Sequence, residues 1–168
     1  MLYRTTTPSP LGELTLYSNG TAITAVTMPI WRYQPPGNST ECPDLPVFRA
    51  AKSWLENYFT GAVSPELPLL SPVGTPFQLQ IWELLRHIPY GSTVTYGEIA
   101  RTLAEITGKP TSPRAVGNAV GRNPIAILIP CHRVLGAKGT LTGFGGGLDA
   151  KRLLLELEGI PYQNETST

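Results

Sequence analysis

The stretch from Ser112 to Val134, SPRAVGNAVGRNPIAILIPCHRV, joins a short helix with one polar face to a cysteine that stands beside a histidine. Ser112 and Pro113 supply an N-cap and a first-turn proline, so a helix is predicted to run through Arg114-Ala115-Val116-Gly117-Asn118-Ala119-Val120-Gly121-Arg122. Arg114, Asn118 and Arg122 fall four apart on one face, and Val116 and Val120 fall four apart on a face that can dock on a core. Around the polar stripe stand only Ala115, Gly117, Ala119 and Gly121. An interior glycine costs about 1 kcal/mol relative to alanine, so the two are expected to make room for another backbone, either a packed helix or a nucleic-acid strand. Asn123-Pro124 ends the helix, Ile125–Leu128 reads as a buried strand, and Ile129-Pro130-Cys131-His132-Arg133-Val134 follows.

Upstream, Val94-Thr95-Tyr96-Gly97 leads into a helix with Ile99, Ala100, Leu103 and Ile106 as its apolar stripe, ending at Gly108 and Pro110. With the helix after Ser112 it forms a helix-turn-helix candidate, the later helix in the recognition position. Earlier still, Thr75-Pro76 opens a core helix carrying Phe77, Ile81, Leu84, Leu85 and Ile88, closed by Pro89. Downstream, residues 135–147 hold six glycines, a loop whose amides can face a ligand beside the cysteine. A last helix over 148–158 turns Leu153, Leu154 and Leu157 inward and leaves Glu158 at its end.

Residues 1–29 alternate apolar and polar around Leu11-Gly12 and Asn19-Gly20, the pattern of a β-hairpin or meander. Residues 34–46 hold four prolines and read as loop; Phe48, Ala51, Leu55 and Phe59 then mark a helix stopped by Gly61. The expected fold is α+β: a small N-terminal sheet-and-helix domain over 1–74 with its Pro-rich loops, then a mainly helical domain over 75–168 containing the helix-turn-helix.

At 168 residues the chain buries a substantial core without staples. Cys42 lies in a Pro-rich loop and Cys131 at a strand end, so no disulfide framework is expected and a reducing, cytoplasmic setting fits. No segment approaches the ~20 apolar residues of a membrane span, and residues 1–4 lead into no signal-peptide core. The net charge of +1 is modest, but Gly97–Arg152 carries eight basic residues against three acidic ones, a local excess of +5 around Cys131. That distribution suits a nucleic-acid partner as well as an ordinary basic surface.

If residues 129–134 formed a regular strand, Cys131 and His132 would point to opposite faces. Either Pro130 breaks the strand or the histidine reaches the thiol through a bridging water, oriented by a carboxylate such as Glu158. One well-placed cysteine and two histidines, with His87 in a core helix, do not make a zinc set. Nothing marks the second base that a thiol hydrolase needs.

The Pro-Cys-His-Arg-Val run, preceded by Arg114-Ala115-Val116-Gly117 and Asn123-Pro124 and followed by Gly145-Gly146-Gly147-Leu148, resembles the O6-alkylguanine-DNA alkyltransferases, also called methylated-DNA–protein-cysteine methyltransferases. The motifs cover about residues 75–160; the N-terminal part fits only in layout. The resemblance implies direct-reversal DNA repair, in which Cys131 takes an alkyl group irreversibly from O6 of guanine, with O4 of thymine a second candidate position. It makes His132 and Glu158 a water-linked relay and Tyr96 a hydrogen-bond donor to the departing guanine, helped by backbone near Val134 and Gly145. Asn123 fixes the turn into the active site, with Pro130, Arg133, Val134, Gly145 and Gly146 around it. Arg114 enters the base stack, and Ala115, Gly117, Asn118, Gly121 and Arg122 belong to the DNA-binding helix. Double-stranded DNA would be bound through the minor groove by a monomer, with clustering along DNA left open, and without cofactor or metal.

Phe144 stands where the family commonly has tyrosine and Gly145 where serine is frequent, which removes a hydroxyl and opens room for alkyl groups larger than methyl. The stretch Arg101–Pro113 is a few residues longer than in relatives. Two rivals remain: a non-catalytic lesion-binding protein, whose class lacks the cysteine, and a helix-turn-helix regulator with an inert cysteine, which leaves Tyr96, His132 and the glycine loop without a use.

Overall fold

In the computed structural model, which describes residues 1–62 and 66–164, the alternating N-terminal sequence forms the expected meander: β1 (Tyr3–Thr7), β2 (Leu14–Ser18) and β3 (Ile23–Thr27), each antiparallel to the next. Period-two spacing sends Leu14 and Leu16 to the core. The turn into β3 is held by the Asn19 carboxamide, which accepts from the amides of Thr21 and Ala22, while Gly20 takes φ +106°. The Pro-rich segment is not all loop. It contributes β4 (Thr40–Glu41), parallel to β1, giving the order β3-β2-β1-β4. Helix α1 (Pro46–Thr60) packs on β2 and β3 through Val47, Phe48, Ala51, Leu55 and Tyr58 and stops at Gly61. Phe59 is only half-buried, Tyr58 taking its expected place.

Two compact units result, and they are not contiguous in sequence: Met1–Val73 with Pro124–Leu128, and Gly74–Asn123 with Ile129 onward. The chain thus makes a five-residue excursion into the first unit just before the cysteine. There Ile125 bridges Val26, with the Val26 amide donating to the Pro124 carbonyl and the Ala126 amide to the Val26 carbonyl, both at 3.0 Å. This run was expected to be a strand. It is buried throughout, but Ile127 has φ +69°, a conformation that no strand contains and that a β-branched side chain rarely adopts. Hydrophobicity alone does not separate a buried strand from a buried turn.

The second unit is built on α2 (Pro76–Arg86), α3 (Tyr96–Thr107), α4 (Pro113–Val120) and α5 (Leu148–Leu157), with β5 (Val94–Thr95) parallel to β6 (Val134–Leu135). Thr75 caps α2 in a reciprocal capping box with Gln78, Thr95 caps α3 and Ser112 caps α4. The helix-turn-helix is α3, a turn opened by Gly108 at φ +72°, and α4. Helix α4 is shorter than expected, closing at Val120 with Gly121 as its cap, so Arg122 lies beyond it. Gly121 is therefore not an interior glycine, and a Cβ at Gly117 would meet the Tyr96 ring at an ordinary 3.7 Å. Ile106, assigned to the apolar stripe, is 65% exposed. In α5 the buried residues are Lys151, Leu154 and Leu155, not Leu153 and Leu157.

Helices α2 and α4 are joined by a hydrogen bond that periodicity cannot show: the Trp82 indole N–H donates to the Ala119 carbonyl at 2.9 Å, both groups buried. Trp82→Phe keeps most of the packing and loses this bond. It should lower stability by about 1–2 kcal/mol, seen as a lower urea midpoint with an unchanged slope.

Candidate active site

Pro130 does break the chain direction. Residues Cys131–Arg133 form a single 3-10 turn, closed by the Arg133 amide on the Pro130 carbonyl, so neither the cysteine nor the histidine belongs to a strand. The turn is held by two buried side chains. Asn123 donates from Nδ2 to the Ile129 carbonyl at 2.8 Å, clamping together the two ends of the excursion, and its side chain also hydrogen-bonds the Cys131 thiol. Lys151 projects from α5 and donates to the Val134 carbonyl at 2.8 Å.

Glu158 gathers the rest. At the C-cap of α5 its carboxylate is fully buried. It contacts His132 Nε2 at 2.6 Å and accepts from Arg133 Nε at 2.8 Å, from Nη2 of the same guanidinium at 3.2 Å, and from the Gly91 amide at 2.9 Å. Arg133 also donates to the Ile88 carbonyl and lies over the Tyr90 ring. Burial by itself would raise the Glu158 pKa. The His132 contact, the Arg133 guanidinium and the Gly91 amide overcome that and hold it down to about 2. Burial lowers the His132 pKa, as do the charges of Arg133 and Lys151, against the opposing pull of Glu158; the imidazole rests neutral, with Nε2–H turned to the carboxylate.

The cysteine is only 3% exposed. Burial pushes its thiol from 9.0 up to about 11, while the Asn123 hydrogen bond and the Lys151 charge act the other way. Burial likewise lowers Lys151 to about 8, and the cysteine raises it. The resting pair is therefore a neutral thiol beside a neutral imidazole. Tyr96, the first residue of α3, reaches the same region: its hydroxyl accepts from Thr142 at 3.3 Å, and the cysteine is close enough to act on its ionisation. Gly145 and Gly146 form a turn before α5, following Phe144, whose ring lies 6.0 Å from Lys151 Nζ. On α4, Arg114 and Asn118 are exposed and Ala115 and Gly117 half-buried; Gly121 is half-buried and Arg122 exposed just past the helix. His87, read as part of the core helix α2, is its C-cap and lies at the surface. Among the described residues no three of His, Cys, Asp or Glu gather closely enough to hold a metal ion.

Sequence reasoning missed Lys151 and Thr142. A lysine on an amphipathic helix reads as solvent-facing, and the only available signal was its place on the same stripe as Leu154 and Leu155.

The unit that holds the helix-turn-helix also holds a buried cysteine next to a Glu-anchored histidine, the layout of a DNA-binding domain built around a thiol. Models of the 6-O-methylguanine DNA methyltransferase family match almost the whole chain, the ribonuclease-like domain over residues 2–69 and the DNA-binding domain over 76–160. A methylated-DNA–protein-cysteine methyltransferase of Haemophilus influenzae is 49% identical over 163 residues, covering 96% of this chain and 88% of the relative. Among solved structures, the Mycobacterium tuberculosis O6-methylguanine methyltransferase is 45% identical with a TM-score of 0.81, covering 94% of this chain and 93% of its own. The M. tuberculosis OGT solved in complex with DNA is 44% identical with a TM-score of 0.82, covering 93% and 92%. The chain belongs to the 6-O-methylguanine DNA methyltransferase family.

A carboxyl held at about 2 in the folded protein and near 4.5 when unfolded stabilises the fold fully above pH 4.5, and that contribution is lost as the pH falls toward 2. A depression of this size corresponds to about 3 kcal/mol. Denaturant unfolding followed from pH 7 to 2 should show that loss. Glu158→Gln, which leaves Arg133 buried without its counter-charge, should be less stable at pH 7 and lose less stability below pH 4.5.

Proposed function

We propose that the chain reverses DNA alkylation directly, moving an alkyl group from O6 of guanine to Sγ of Cys131. The observation that carries this reading is the buried Cys131 thiol in one 3-10 turn with His132, whose Nε2 is held at 2.6 Å by Glu158. With Nε2–H committed to Glu158, the thiol proton goes to His132 Nδ1, through a bridging water. Sγ attacks the alkyl carbon as the carbon–O6 bond breaks. The electron pair of that bond passes to guanine, to which the Tyr96 hydroxyl delivers a proton; the tyrosinate is then reprotonated by the proton that His132 took from the thiol, relayed through water. The imidazolium is stabilised by Glu158, and Lys151 offsets negative charge developing on sulfur. The product is a thioether, which nothing nearby can hydrolyse, so each molecule acts once. A reducing cytoplasm keeps such a thiol available.

The alkyl carbon is buried inside duplex DNA, so the nucleotide must be turned out, at a cost of a few kcal/mol. In this reading α4 lies in the minor groove, with Ala115 and Gly117 facing it and Asn118, Gly121 and Arg122 along the backbone. Arg114, exposed at the start of α4, fills the gap left in the stack. The degenerate pattern of that groove suits a search for damage at any sequence. Asn123, Pro130, Arg133, Val134, Gly145 and Gly146 shape the pocket around the extruded base. The protein acts as a monomer on double-stranded DNA.

Incubation with a duplex containing O6-methylguanine should add a single methyl group at Cys131, read by peptide mass spectrometry. Cys131→Ser should remove the adduct and keep DNA affinity. An intact protein that binds the duplex without acquiring a methyl group would assign it to the lesion binders instead. Arg114→Ala should slow transfer from duplex DNA about 10-fold or more and leave transfer from the free base nearly unchanged; equal losses would take Arg114 out of the flipping step.

A further inference from the structure

Tyr96 is fixed at one end by its backbone, which follows directly on the β5 pairing Thr95–Leu135 and starts α3, and its ring lies against Gly117 of α4. At the other end its hydroxyl meets Thr142 Oγ1 at 3.3 Å. A phenol has one proton and an oxygen that accepts; which way the proton points depends on what occupies the oxygen. Thr142 in turn is seated by a glycine. A Cβ built on Gly136 would fall 2.7 Å from Thr142 Cγ2 and 3.3 Å from the Thr140 carbonyl oxygen, closer than the threonine methyl tolerates. Gly136 has φ −72°, which any residue adopts, so the glycine is needed there for space alone. The Gly136 amide donates to that same Thr140 carbonyl at 2.8 Å, closing the loop that carries Thr142.

We propose that Thr142 is a positioning residue for the transfer: its hydroxyl donates to Tyr96 Oη and so directs the Tyr96 proton toward the departing guanine, with Gly136 leaving the space in which Thr142 sits. This rests on the reading in which Tyr96 donates to the guanine. The 3.3 Å separation is long for a hydroxyl pair, and hydrogen bonds of this kind tighten when substrate is bound. Donation to the phenol oxygen also makes the phenol a stronger donor, in keeping with the way Thr142 offsets part of the rise that burial imposes on the Tyr96 pKa.

The test is the single-turnover rate of methyl transfer from an O6-methylguanine duplex, measured with DNA affinity for each variant. Thr142→Val keeps the shape and removes the hydroxyl; it should slow transfer roughly three- to tenfold, the effect of one hydrogen bond, at unchanged affinity. Thr142→Ser should restore most of the rate. Gly136→Ala should reproduce the slow phenotype by displacing Thr142. In a Tyr96→Phe background the Thr142→Val change should have no further effect, because its target is gone. If Tyr96→Phe transfers at the parent rate, the role given to Tyr96 fails and this proposal with it. If Tyr96→Phe is slow but Thr142→Val is not, if Thr142→Ser is as slow as Thr142→Val, or if the Thr142→Val loss persists undiminished without the Tyr96 hydroxyl, the Thr142 proposal alone is overturned.

Discussion

The carboxylate of Glu158 is the point on which the site depends. Burying an ionised carboxylate costs several kcal/mol unless its lone pairs are filled, and here they are filled by three groups from two places: His132 and Arg133 of the turn that carries the cysteine, and the amide of Gly91. Those partners come from before α3 and from the 3-10 turn, and Glu158 itself stands at the end of α5. One charge thus ties together segments that are 67 residues apart in the chain. The tie does more for orientation than for net stability, since an apolar cluster of similar volume would be as stable. What an apolar cluster would not do is hold the imidazole in one tautomer.

The electrostatic arrangement follows from that anchor. One buried anion is matched by Arg133, which leaves Lys151 as a second cation turned toward the thiol side. His132 stays neutral because burial and two nearby cations outweigh its carboxylate partner. The cysteine stays protonated for the same first reason. Proton transfer between two neutral groups, followed by charge that Glu158 and Lys151 each stabilise, is the chemistry these placements allow.

Much of this was legible in the chain. Thr75-Pro76, Ser112-Pro113 and Gly61 marked helix ends by capping chemistry, which is local and so readable from sequence. The alternation of residues 1–29 gave the meander for the same reason. The sequence offered Glu158 as one carboxylate that could orient His132, and only the family resemblance singled it out, because 26 residues separate them and no periodicity links them. Ile125–Leu128 went wrong because an apolar run carries no sign of its dihedral angles, and Ile127 is left-handed against its own preference. Lys151 was invisible because its burial depends on a carbonyl from another segment. At Gly117 the small size was legible and the Tyr96 ring beside it was not, because the two residues belong to different helices.

A thiol held at about 11 is a poor nucleophile toward anything that merely diffuses past it. Soluble alkylating agents, peroxides and small disulfides react with thiolates, and the folded protein offers almost none. In a molecule that is spent by one reaction, this resting inertness keeps the stock of unreacted protein intact through long periods without damage. Its reactivity is then tied to the arrival of an ordered substrate and not to the ambient concentration of electrophiles.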